Sequence, residues 1–397
     1  MAAALDGAPV TAPALPDGAV VVRVPPAPGP LTALAVAVPL AGLSPAAQRL
    51  APLLAAVWSR DAAGPGRLCE PLVTADLVGI RVEALPGGAT GASRFTHVPV
   101  PTVDAVEAAR PGCVAALRAA GRSRELGTDL VQGALFGAAH RYGLTPADRA
   151  RVVARCTVDE LAAAADEARA LAPVVAVAGP GEPGRMRARR GPPPGLPPPP
   201  PGRRAVTVGV PGRRAYHLTG APGVRLGDPA KFALHVACAV LGGRDGLLGW
   251  CLGGRAYSFT VFSRELADAG YVASLVDCDP AGVDHTADAV DAAIAWLAAG
   301  AVTPAMLAAA VERLVVDHHR ALRTARDRVT RACAYAAAGL DPAEATAYPE
   351  RVTAVDAEQV TAAALRLADP SRRVEVTLLP RASTVDGQNG GKHSGFP

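Results

Sequence analysis

Lysine is almost missing from this 397-residue sequence: Lys231 and Lys392 are the only two among 40 basic residues, and the rest are Arg. The 36 acidic residues leave a net charge of +4, too small an excess to imply a nucleic-acid partner. Ala, Gly, Pro and Arg dominate, the composition of a GC-rich genome. The seven Cys (Cys69, Cys113, Cys156, Cys238, Cys251, Cys278 and Cys333) are odd in number and include no CxxC pair. That argues against a disulfide framework and a zinc ribbon, and for buried free thiols in a reducing compartment. No basic segment followed by an apolar one opens the chain, so no signal peptide is expected. The longest apolar run, Leu31 to Leu43, holds Pro39 and is too short to span a bilayer. No GxxxxGK[ST] or GxSxG occurs, so neither a P-loop nor a serine-hydrolase elbow is expected. These absences predict a cytoplasmic protein with no membrane or nucleic-acid partner.

What is present is half apolar, enough for about two domains. GPGEPGRMRARRGPPPGLPPPPPGRR, residues 179–204, cannot form a core and reads as an extended Pro/Arg-rich linker. It separates a first domain, 17–178, from a second, 205–380, followed by a polar Gly-rich tail, 381–397, that reads as disordered. In the first half, strands are expected at Val20–Val24, Leu31–Leu40, Leu72–Val82, Phe95–Val100 and Pro173–Ala178. Helices are expected from Pro45 to about Ser59, over Val103–Ala120 and Glu125–His140, and after the Thr157/Glu160 capping box. The second half repeats the plan. Its closing helix, capped by Asp356 and Gln359, and its last strand, Val374–Leu379, match the end of the first half. CTVDELAAAADEARALAPVVAVAG and AVDAEQVTAAALRLADPSRRVEVTLL are alike in pattern, which predicts a duplicated α+β domain.

The segment Leu241 to Ser258, LGGRDGLLGWCLGGRAYS, lies between an apolar helix and a strand. Two Gly pairs bracket a short apolar segment, as a tight helix–loop–strand corner requires. Arg255 and Tyr257 are two apart, so on a strand both would project from one face and could hold a carbonyl or carboxylate. On residue types alone this is a turn with a solvated Arg and a packed Tyr. The run, however, resembles the second-domain signature of the M16 family (insulinase and mitochondrial processing peptidase), where an LGG turn and a loop ending in Ala-Tyr-Ser precede a strand. Leu241-Gly242-Gly243 and Ala256-Tyr257-Ser258 carry the likeness, and ALFGAAHRYG (Ala134 to Gly143) adds to it. The resemblance implies two homologous domains, each a mixed sheet with helices on one face. It also implies that Tyr257 helps hold the substrate backbone. At the family's Arg position this sequence has Gly253, with Arg255 as the candidate stand-in.

An active member of that family carries HxxEH on its first long helix, where two His one turn apart bind zinc and the Glu activates water. Here that helix reads QRLAPLLAAVW, Gln48 to Trp58, with no His and no Glu. Ala115 and Ala116 stand where a further Glu ligand would be expected. The eight His do not compensate: His318 and His319 are adjacent, and His235 sits on an apolar face. The expectation is therefore a subunit without catalytic residues, metal or cofactor of its own. It would pair as a heterodimer with a zinc-bearing M16 peptidase subunit around a peptide substrate, such as a precursor or leader peptide. A purely structural M16-like protein is the alternative.

Overall fold

The computed structural model describes residues 20–24, 31–85, 95–120, 124–179, 204–243 and 245–381. The readings of the linker, the N-terminal segment and the tail fall almost wholly outside these residues. In the first half the order is β1 (Val20–Val24), β2 (Thr32–Pro39), α1 (Pro45–Ala62), β3 (Arg67–Val73), β4 (Leu77–Ala84), α2 (Val103–Ala120), α3 (Arg124–Phe136), α4 (Pro146–Arg155), α5 (Val158–Arg169) and β5 (Val174–Ala178). The second half begins β6 (Arg204–Val210), β7 (Ala215–Pro222), α6 (Ala230–Gly242), α7 (Leu247–Leu252), β8 (Ala256–Glu265), β9 (Gly270–Cys278) and α8 (Val283–Ala298). It continues with α9 (Pro304–Ala321), α10 (Ala325–Ala337), α11 (Ala343–Thr346), α12 (Tyr348–Thr353), α13 (Ala357–Ala368) and β10 (Val374–Pro380). No helix among the described residues is long and apolar enough to cross a membrane.

The two halves form the same sheet. Five strands run β1-β5-β2-β4-β3 in one and β6-β10-β7-β9-β8 in the other. In each, only the first pair is parallel. Matching topology around matching capping boxes at Thr157/Glu160 and Asp356/Gln359 fits a duplicated unit.

Strand β2, TALAVAVP, is buried on both faces. Leu34, Val36 and Val38 enter the core under α1, α2 and α5, whereas Ala33, Ala35 and Ala37 face the other way. Those small residues let a helix approach closely, and the helix that does so is α10 of the second half, through Ala325, Val329, Ala332 and Cys333. The exchange is reciprocal: α3 of the first half lays Val131 and Leu135 on Leu218, Leu275 and Val376 of the second sheet. Gly220 on β7 makes room for it, since a Cβ there would lie 2.2 Å from Val131 Cγ1. Each sheet thus carries its own half's helices on one face and one helix of the other half on the second.

A polar clasp joins the halves at the ALFGAAHRYG loop. The Tyr142 hydroxyl donates to Asp76 Oδ1 at 2.5 Å and accepts from the Asp268 amide at 3.2 Å. Arg141 lies between Asp76 and Asp268, with its guanidinium 4.4 Å from the Tyr142 ring centre. Asp76 Oδ2 accepts the Ala267 amide at 3.0 Å. Burial works against the Arg141 charge, but the tyrosine and the two carboxylates raise its pKa overall. Removing one partner from such a buried pair costs roughly 3–5 kcal/mol.

Four elements differ from the sequence expectation, the first being the helix expected over Glu125–His140, which ends at Phe136 before Gly137 at φ 77°. The strand expected over Leu72–Val82 is two strands, because the Thr74 hydroxyl accepts the amides of Asp76 and Leu77 and closes a turn. No strand forms at Phe95–Val100. Pro99 and Pro101 remove ladder donors there, and Phe95 and Val98 plug the first core instead. Helix α4 was not anticipated, although Thr145, Pro146 and Asp148 give it a full capping box.

In the second core His318 is 8% exposed and stacks on Tyr348 with ring centres 4.9 Å apart. Burial, aided by Arg331 and His319, pushes its imidazole down to about 4. Glu265 accepts from the Ser263 hydroxyl and lies 2.9 Å from His235 Nε2. Burial opposes its charge, but these partners hold it below the ordinary carboxylate value.

Two predictions follow from this packing. Gly220→Ala should destabilise the chain by about 1–3 kcal/mol in urea unfolding, and Val131→Ala should recover part of the loss; additive costs would refute the contact. Acidification should also weaken the fold. The unfolded chain protonates His318 near its ordinary value of about 6.5, while the folded chain resists until about 4. Stability should therefore fall as pH drops through that window, with the Glu265 contribution lost at its acid end. His318→Asn should flatten the slope between those values, and an unchanged slope would count against the assignment.

Candidate functional site

Helix α6 ends in Gly242, whose position admits no side chain: a Cβ would lie 2.7 Å from the Val261 amide nitrogen on β8. The chain turns into α7, which stops at Gly253 in the left-handed region, φ 55°, followed by Gly254 at φ 78°. The Gly253 amide donates to the carbonyls of Gly249 and Trp250. These two glycines are required by their backbone angles. Strand β8 then starts with an irregularity: Ala256 pairs with Cys278 and Ser258 with Asp277, so Tyr257 sits in a bulge. A bulge re-aims its side chain, and Tyr257 is 56% exposed.

The Tyr257 hydroxyl lies 3.3 Å from both carboxylate oxygens of Asp279, and the Arg214 guanidinium lies 4.3 Å from its ring centre. Arg214 in turn donates to the buried Asp277 at 2.8 Å. That hydrogen bond, with the Asp277 charge, raises the Arg214 pKa. The tyrosine ring is thus held over a cation while its hydroxyl makes only long, weak bonds. The phenol can exchange Asp279 for another acceptor at small cost.

Arg255 is not part of this arrangement. It precedes β8, is exposed, and makes no ion pair or side-chain hydrogen bond among the described residues. The bulge at Tyr257 removes the alternation that would have put both side chains on one face. Arg214, Asp277 and Asp279 were not singled out from the sequence. Their signal lay in the β7–β9 pairing, which sets Ala215 opposite Cys278 and so brings Arg214 beside the Asp-Cys-Asp run.

In the first half, α1, α2 and β3 border an open groove of about 400 Å³ that includes Pro52, Ala56, Pro71, Cys113 and Ala116. Burial pushes the Cys113 thiol up to about 11, so it is a poor metal ligand at neutral pH. Gln48 Nε2 is committed to the Leu40 and Leu43 carbonyls, at 3.0 and 2.8 Å. This donor set does not fit a zinc ion. Among the described residues no group of three or more His, Cys, Asp and Glu could hold a metal. His318 and His319 are ring neighbours 5.7 Å apart, and His235 is bonded to Tyr348 and Glu265.

The family model described as "Peptidase M16 inactive domain" matches residues 164–314. No curated protein matches the sequence. Among solved structures, the fold is similar to the peptidase M16 inactive domain from Pseudomonas fluorescens, with TM-score 0.74 and 15% identity over 93% of this chain and 97% of that one. A chain of complex III2 from Candida albicans, with Inz-5 bound, gives TM-score 0.76 and 12% identity over 93% and 95% of the two chains. The periplasmic protease PqqL from Escherichia coli gives TM-score 0.62 and 16% identity, covering 92% of this chain but 44% of that one.

Proposed function

We propose that this chain, M16-like and without that family's zinc motif on its first long helix, is the non-catalytic subunit of a heteromeric M16-type zinc peptidase. It encloses a precursor or leader peptide together with a zinc-bearing partner in the cytoplasm and supplies backbone-binding groups to the shared chamber. The observation that carries this reading is the presentation of Tyr257: an exposed phenol, aimed by a bulge, steadied by Arg214 and Asp279, at the start of an edge strand. Strand β8 pairs only with β9 among the described residues. An extended peptide can add to such an edge through its main chain, and the Tyr257 hydroxyl can then donate to one of its carbonyls. Hydrolysis itself would be the partner's metal-assisted step. Arg255, exposed and unbonded, can swing toward the peptide but is not pre-positioned.

A second reading, a purely structural subunit, draws support from the free position of Arg255. One reconstitution separates the two. The purified chain alone should hold no zinc by X-ray fluorescence and cleave no peptide. Mixed with an HxxEH-bearing chain from the same genome, it should support cleavage. Tyr257→Phe should then lower kcat/KM about three- to tenfold, the worth of one neutral hydrogen bond. Cleavage insensitive to Tyr257→Phe and Arg255→Ala would leave the structural role, and tightly bound zinc in the chain alone would overturn both.

A further inference from the structure

A second cleft lies at the opposite end of α6 from the Gly-rich corner. The helix has 13 residues, so its ends are about 20 Å apart, and this cleft is separate from the Tyr257 surface. It occupies about 460 Å³ between the start of α6 and the α12–α13 pair, within the range that encloses a small organic ligand. Val224, Phe232, Leu234 and Val355 make its walls apolar. Helix α13 contributes Gln359, Ala362, Ala363 and Arg366, the i, i+3, i+4, i+7 set of one helix face. Arg351 of α12, an exposed residue, also lines it.

The arginines of this cleft have no ion-pair partner among the described residues. Arg351 and Arg366 make no ion pair or side-chain hydrogen bond among the described residues, and no carboxylate is among the residues that line the cleft. Some other arginines of the chain are ion-paired, as with Arg81 and Glu70, Arg141 and Asp268, or Arg373 and Asp291. Gln359 accepts the Asp356 amide through Oε1 at 3.1 Å, which leaves its NH₂ free to donate. Two exposed arginines and an amide donor line a cleft whose remaining wall is hydrocarbon. Guanidinium matches the planar geometry of a carboxylate, and the apolar wall favours a ligand with an aliphatic body over a bare inorganic anion.

We propose that this cleft is a binding site for a small amphipathic carboxylate, its head between Arg351 and Arg366 and its alkyl body against Phe232, Leu234 and Val355. The proposal is independent of peptide processing, and neither Arg belongs to the Tyr257 site.

Titration calorimetry of the full chain with decanoate tests it. Saturable one-to-one binding is expected, with no saturable binding of decylamine. The double variant Arg351→Gln/Arg366→Gln, at exposed positions, should weaken decanoate by about tenfold or more without moving the urea midpoint by more than a small amount. Ala362→Trp, which fills the cleft from its exposed wall, should abolish binding. Absence of saturable decanoate binding, equal binding of decylamine, or undiminished affinity in either variant would each overturn the assignment.

Discussion

The reciprocal exchange of α3 and α10 is the constraint on which the rest of this molecule depends. A sheet with two apolar faces must cover both, and each half brings helices for one face only. The alanine-lined face of β2 and the glycine at position 220 are meaningful only as seats for a helix from the other half. The Asp76–Tyr142–Arg141–Asp268 clasp adds polar bonds across the same junction. The two halves are joined through shared apolar clusters as well as along the chain.

Much of this plan could be read before the structure. The capping boxes, the Gly-rich corner and the repeated helix–strand ending placed the elements and the duplication, because each is a local signal of backbone chemistry. The partner of an amphipathic helix is a different matter. The apolar stripe of α3, with Leu126, Leu130 and Leu135, states that a face must be buried but does not say against which sheet. Reading helices on one face of each sheet was therefore sound but left the second faces unaccounted for. The segment at Phe95 differs for a related reason: its apolar residues have the pattern of a strand, while the prolines beside them remove ladder donors and leave a plug.

The candidate site shows the same division. Tyr257 was legible because Ala-Tyr-Ser follows a glycine turn, a contiguous pattern. Arg214, Asp277 and Asp279 come from a hairpin turn and the end of another strand, and only the sheet register gathers them. For Arg255, the part of the argument that rests on strand alternation is cancelled by a single bulge. Helix α1 is the first long helix of the first half. It carries neither His nor Glu, and its one amide side chain, Gln48, is spent on helix-entry carbonyls.

Helix exchange also has a consequence for synthesis. The seat for α10 is complete once β5 has been made, yet α10 leaves the ribosome roughly 150 residues later, on the order of ten to thirty seconds at ordinary elongation rates. Throughout that interval the alanine face of β2 and the inner residues of β1 and β5 stand bare. The nascent first half is thus a sticky intermediate by construction. Its survival rests on slow collapse, on a chaperone shielding that face, or on prompt arrival of the second half.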